Sequence, residues 1–227
     1  LNIPQFEFVG KRPDNQFPFV GYRMIEGPSL LEIDWPTLPA AEQQAITEAI
    51  GQFLQELHRF PLTAAQQCGV ETRDFYADYA HVWQGTQKHL LPKLETAETE
   101  RLRHIFEGYL NNPENFAYAP RLLHMDIWGD HVICDAETKE IKGIIDFGDV
   151  MIGDPDIELA FLYGELGRGF VEQVLDSMDI LPTERLWDKL YLFWTSNFAE
   201  DALYGLHLQD DQIFEESFAR LQEALGM

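Results

Sequence analysis

Leu122-Leu123-His124-Met125-Asp126-Ile127-Trp128-Gly129-Asp130-His131, followed after a short gap by Ile145-Asp146-Phe147-Gly148-Asp149, is the densest run of chemistry-bearing residues in this sequence. Inside the gap, Val132-Ile133-Cys134 and the stretch from Ile141 to Ile145 are β-prone, and Ala136-Glu137-Thr138-Lys139-Glu140 is polar. Two short apolar runs around a polar loop predict a β-hairpin. With a loop of about four residues, pairing sets His131 at the end of one strand opposite Asp146 at the end of the other. Asp126 lies just upstream in the connecting loop. Two carboxylates and an imidazole thus meet at the mouth of the hairpin, where they repel one another or bind a cation. Hard cations such as Mg2+ take carboxylate and phosphate oxygens together. One carboxylate can hold the metal while the other accepts a proton from an attacking hydroxyl.

Upstream of this run the pattern is helical from about Pro39. Ile46, Ile50, Phe53, Leu54 and Leu57 share one face, as do Phe75, Tyr79, Val82 and Trp83, and Leu102, Ile105, Phe106 and Tyr109. These stripes read as core. The first thirty residues differ. Phe6-Glu7-Phe8-Val9 and Phe17-Pro18-Phe19-Val20-Gly21-Tyr22 read as strands around a turn at Lys11-Arg12-Pro13-Asp14-Asn15, and Gly27-Pro28 breaks the chain. Downstream, Asp154-Pro155 is a helix start, with Asp as cap and Pro at the first helical position. Residues 182–206 and 209–225 read as helices.

The 227-residue chain is 45% hydrophobic and 13% aromatic, which predicts a packed core. Its 39 acids against 16 Lys and Arg give a net charge of −23. Such a surface repels nucleic acid and anionic lipid and attracts a polycation. Any ATP-binding site in that field needs metal ions or local positive groups at the phosphates. No apolar run is long enough to span a membrane and no secretory leader is visible. Cys68 and Cys134 form no CxxC pair, so neither a zinc site nor a disulfide scaffold is expected, and a cytoplasmic location is.

His124-x-Asp126-x-x-x-x-His131 followed by Asp146-Phe147-Gly148 resembles the catalytic loop and metal motif of the eukaryotic-like kinase fold. The absence of Arg before the Asp, with Gly153-Asp154-Pro155 soon after, makes it similar to the aminoglycoside phosphotransferase family. Ile144-Ile145-Asp146-Phe147-Gly148-Asp149, with His131 where kinases have Asn, looks most like the 2″-aminoglycoside phosphotransferases. The resemblance covers nearly the whole chain in outline and residues 122–160 in specific motifs.

That resemblance implies an α+β, protein-kinase-like fold. Residues 28–227 would form the helical large lobe with its catalytic hairpin, and residues 1–27 a remnant of small-lobe strands and hinge. It implies Asp126 as the base, His131 and Asp146 as ligands of two Mg2+ ions, and His124 as a hydrogen-bonding support of the loop. Phe19 to Gly27 resembles the last small-lobe strand entering the hinge, so the Arg23 carbonyl and Ile25 amide, flanking Met24, would meet the base of ATP or GTP, with Ile145 nearby. An ammonium-bearing acceptor needs carboxylates and apolar ring faces. Asp149, Glu165, Glu200 and Asp201 are the acids expected there, and Trp128, Trp194 and Tyr204 the faces. Glu165 also reads as a solvated helix position, and Trp194 and Tyr204 as core aromatics.

A kinase-like small lobe carries a Gly-rich strand pair, a strand Lys and a helix Glu, and none precedes Phe6. Lys11 falls in a turn. The chain starts at Leu1 rather than Met, so a truncated or lost small lobe is the expectation, with weak ATP binding and slow turnover. Two rival readings stay open: a kinase of the same fold for a macrolide, choline-like amine or sugar hydroxyl, and a non-catalytic nucleotide-binding module. A metal-dependent hydrolase built on HxDx4H would gather more His and Asp ligands than this chain provides nearby.

Overall fold

The computed structural model describes residues 2–14 and 16–226. Asn15, placed in the first turn by the sequence, lies outside them. The chain opens with β1 (Phe6–Lys11) and β2 (Pro18–Tyr22), an antiparallel ribbon in which Phe8 pairs with Gly21 and Gly10 with Phe19. Each glycine makes room for the aromatic ring across from it. A Cβ on Gly10 would lie 2.6 Å from the Phe19 ring. Lys11, expected in the turn, is the last residue of β1 and pairs with Pro18. The Arg12 N–H donates to the Phe17 carbonyl and continues the pairing one step further.

The helical body follows. It contains α1 (Ala40–His58), α2 (Leu62–Gln67), α3 (Phe75–His89) and α4 (Thr96–Leu110) before the catalytic segment. After that segment come α5 (Ala160–Leu166), α6 (Arg168–Ser177), α7 (Glu184–Leu208) and α8 (Asp211–Gly226). The stripes read from the sequence face inward: Ile46, Ile50, Leu54, Phe75, Leu102 and Phe106 are buried. Helix α7 is the axle. It packs against α3, α4, α5 and α8, so apolar residues recur around most of its circumference rather than along one stripe. Its buried Thr195 and Ser196 hydroxyls are satisfied within the helix, by the carbonyls of Tyr191 and Phe193. The Thr183 side chain caps its start by accepting from the Leu186 N–H, and Gln209, in the left-handed region at φ 57°, ends it.

Two small ladders sit on this body and carry the site. In the first, β4 (Val132–Cys134) and β5 (Ile141–Ile144) form the expected antiparallel hairpin. The Asp135 N–H donates to the Glu140 carbonyl at 2.8 Å, which closes a loop over residues 136–139. The Asp135 carboxylate caps that loop by accepting from the Glu137 and Thr138 amides. The hairpin is flanked by backbone from the chain's start, with Asn2 beside Gly143 and Ser29 beside Ile133. Gly27 presses so closely on β4 that a Cβ there would lie 1.9 Å from the Cys134 carbonyl oxygen, which only glycine permits.

The second ladder was not foreseen. Here β3 (Arg121–Leu123) pairs antiparallel with β6 (Met151–Gly153), and the loop ahead of α3 joins them through a parallel bridge from Thr72 to Ile152. Among the described residues, no helix is long and apolar enough to cross a membrane.

Candidate active site

The catalytic segment runs from β3 through His124 to His131, up β4, back down β5 and out through Asp146 to β6. The Ile145 N–H donates to the His131 carbonyl at 3.0 Å, so His131 faces Ile145 and Asp146 stands one residue beyond the last pair. The expectation had His131 directly opposite Asp146. The three side chains still converge: Asp126, His131 and Asp146 each offer a ligand atom within 4.8 Å of the others.

His131 is oriented by the loop itself. Its Nδ1 lies 2.8 Å from the Asp126 backbone carbonyl. A carbonyl can only accept, so Nδ1 carries the proton and the lone pair is on Nε2. That nitrogen faces Asp146 Oδ2 and Asp130 Oδ1, each at 3.9 Å. A gap of this size would leave room for a small divalent cation. The donor set therefore fits a divalent cation held by Asp146 and His131, with the imidazole the softer member.

Asp126 is less exposed than Asp146. Burial raises its carboxyl above the usual range, His131 opposes that shift, and the nearby Asp149 adds to it. A carboxylate in this setting holds a proton more readily than a free Asp and is suited to take one from a hydroxyl.

Local strain sharpens the geometry. Met125, between His124 and Asp126, has φ 72°, and Asp146 has φ 65°. Left-handed conformations at non-glycine residues cost on the order of 1–3 kcal/mol each and persist only where the surroundings enforce them. His124 is the first such restraint. It is fully buried, accepts from the Asp126 N–H at Nδ1, and therefore donates from Nε2 to the Ile145 carbonyl at 3.1 Å. Burial lowers its pKa to about 4, so it stays neutral and acts as a pin between the Asp126 loop and the segment that follows β5. Phe147 packs edge-on against its ring at 4.4 Å.

Glu158 is the second restraint, and no motif in the sequence announces it. Its buried carboxylate accepts from the amides of His124 and Met125, and burial pushes its pKa up to about 8. Asp154 caps the turn at residues 155–159 as expected, by accepting from the Asp156 N–H. It also forms a buried ion pair with Lys189 of α7 at 2.6 Å, which was equally unforeseen.

The substrate-side residues divide. Asp149 and Glu200 line a cleft of about 210 Å3 beside Asp126. Glu165 accepts from the Gly129 N–H at 2.7 Å and so anchors the catalytic loop. Trp194 is 7% exposed and fills the space above Gly164, where a Cβ would come within 2.1 Å of the indole. Tyr204 is exposed. Trp128 stacks on Phe161 at 4.0 Å.

After β2, Arg23, Met24 and Ile25 line a separate hollow with Asn2, Glu7 and Lys142. The Arg23 side chain reaches back to Glu7 of β1. Ile145 leads into the site, and its backbone is held by both His131 and His124.

Solved structures share this fold. The GDP complex of a wild-type aminoglycoside 2′-phosphotransferase-IIIa matches at TM-score 0.92 and 29% identity, over 100% of this chain and 76% of that one. A GDP and kanamycin complex of an APH(2″) enzyme matches at TM-score 0.89 and 30% identity, over 99% of this chain and 76% of that one. A macrolide 2′-phosphotransferase type I, at 16% identity and TM-score 0.74 over 96% of this chain and 72% of that one, shares the fold. A family model described as "Phosphotransferase enzyme family" matches residues 6–193, from the first strand to the middle of α7, with the Asp126–His131–Asp146 cluster inside it. By sequence and by fold, the chain belongs to this phosphotransferase (APH) family.

Proposed function

We propose that the protein transfers the terminal phosphate of ATP or GTP to a hydroxyl of a cationic small molecule, an aminoglycoside being the first acceptor to test. The observation that carries this reading is the meeting of Asp126, His131 and Asp146 within 4.8 Å at the edge of a cleft that holds two further acids, Asp149 and Glu200. Asp126 would receive the proton of the acceptor hydroxyl, and its raised proton affinity favours that transfer. Asp146 and His131 would hold Mg2+, which would supply positive charge to offset that of the phosphates. His124, Glu158 and Glu165 fix the loop, so that catalysis rests on positioning. Asp149 would meet an acceptor ammonium.

The test is a pair of variants of the full-length protein. Asp146→Asn should abolish the thermal stabilisation given by Mg2+ with ATP or GTP. Asp126→Asn should keep that stabilisation and lower phosphate transfer to kanamycin by about 10²–10⁴-fold. Transfer that survives Asp126→Asn undiminished would refute the assignment of the base.

A further inference from the structure

Arg73 stands in the cleft beside Asp126, where no sequence motif placed a cation. It is brought there by the third segment of the second ladder, in which the Arg73 N–H donates to the Ile152 carbonyl and the Ile152 N–H to the Glu71 carbonyl, both at 2.8 Å. The guanidinium is largely buried. Its Nε lies 2.7 Å from Asp78 Oδ2, and its Nη2 3.8 Å from Glu200 Oε1. It also lies over the Phe75 and Tyr79 rings, at 5.2 and 5.8 Å from their centroids.

Two hollows meet at this side chain. The inner one, about 210 Å3, contains Asp126 and Asp149. The outer one, about 510 Å3, contains Asp74, Asp78 and His81. Arg73, Met151 and Glu200 line both, so the Arg73–Glu200 contact lies on the partition between them. Pockets for drug-sized ligands measure roughly 300–1,000 Å3, and the inner hollow alone falls below that range. The acids are also committed unevenly. Glu200 and Asp78 face a guanidinium, and Glu165 is bonded to the Gly129 amide. Asp149 is left as the acid beside Asp126 with no protein cation in contact among the described residues.

We propose that Arg73 is a specificity-determining residue: its guanidinium, held by Asp78 and Glu200, occupies an ammonium position and walls off the outer hollow. The part of the acceptor that enters the inner hollow is thereby limited to about one ring with a single ammonium, and the rest is kept out of the outer hollow. This rests on the reading of the cleft as the acceptor site. An entering ammonium would have to displace a paired and stacked guanidinium from Glu200, which is unfavourable. Without Arg73, Glu200 and Asp78 would be free and the two hollows would join.

Calorimetric titration of the full-length protein with kanamycin, a polyammonium sugar, and glucosamine, with one ammonium, tests this. Arg73→Ala should bind kanamycin about tenfold more tightly and with steeper salt dependence, with little change for glucosamine. Arg73→Lys, which keeps a cation in place, should behave as the wild type. Glu200→Gln alone should change kanamycin binding by less than about twofold, because Arg73 already faces that carboxylate. On the Arg73→Ala background it should remove the gain.

Kanamycin binding no tighter in Arg73→Ala, or clearly weaker in Glu200→Gln alone, would overturn the proposal. The catalytic reading is judged separately, by the Mg2+-nucleotide stabilisation. If that is absent while Arg73→Ala still gains kanamycin affinity, the kinase reading falls and the partition stands.

Discussion

Phe106 and Phe8 are the same residue in two surroundings. Phe106, on α4, is fully buried and stacks on Trp83 with ring centroids 5.0 Å apart. Phe8, on β1, is 68% exposed and covers Gly21 of the opposite strand. The contrast extends to the regions around them. The helical body hides its apolar stripes between layers, whereas the β1–β2 ribbon leaves Phe6, Val9, Phe17 and Phe19 exposed as well. A two-stranded ribbon is marginal on its own. The two regions therefore differ in how they are held. The body is held by burial, and the ribbon by its ladder and by backbone contacts of its flanking segments with the catalytic hairpin. All of the residues that position Asp126 belong to the body or to that hairpin.

The largest expected effect tests that division directly. Phe106→Ala should cost about 3–5 kcal/mol of unfolding free energy, through lost burial and the cavity left behind. Phe8→Ala should stay within about 0.5 kcal/mol. Denaturant melts of the two variants measure both. Comparable losses would mean that the ribbon is packed in solution in a way the contacts of Phe8 do not account for.

What the sequence disclosed follows the same line between local and distant. The hairpin, the helical stripes and the convergence of Asp126, His131 and Asp146 were legible because each rests on local periodicity or on one short turn. The β3–β6 ladder was not. Its strands are three residues long and about thirty apart, and they carry no alternating pattern long enough to detect. Glu158 and Lys189 were missed for a related reason. Each is a charged residue in a helical stretch, which ordinarily means a solvated face, and only tertiary packing shows that both are buried. Arg73 escaped notice because its loop joins a sheet edge that the sequence does not announce. Glu165 was read as an acceptor-binding acid or a solvated face, and the bond its carboxylate makes to the Gly129 amide was not foreseen.

Glu158 gives the next effect in size and ties the stability of the body to the catalytic loop. Its folded-state pKa, about 8, lies above the ordinary value of 4.5. The folded protein therefore binds more protons than the unfolded chain between those two values. Its contribution is full below pH 4.5 and is lost as the pH rises toward 8. Glu158→Gln should flatten stability across that window, relative to a wild-type decline of a few kcal/mol. The amide oxygen can still accept from the His124 and Met125 amides, so the loop should keep its shape. Melting the two proteins at a series of pH values provides the check, and parallel curves would show that Glu158 does not titrate in this range.

The smallest effect belongs to the ribbon. Arg23 pairs with Glu7 at 2.7 Å, linking the segment after β2 to β1, with the arginine side chain 88% exposed. The Lys189–Asp154 pair of the body is shorter, at 2.6 Å, and nearly inaccessible. Distance alone would rank these two pairs together. Solvent separates them, because an exposed pair is screened and must hold two long side chains in one geometry, which leaves about 0–1 kcal/mol. Arg23→Ala should therefore move the melting transition hardly at all, and raising the salt concentration should reduce even that difference. A clear loss of stability that persists in high salt would place the Arg23–Glu7 contact in a drier setting than its exposure implies. The ribbon would then be held against the body by more than backbone contacts, and the division between the two regions would have to be redrawn at the segment after β2.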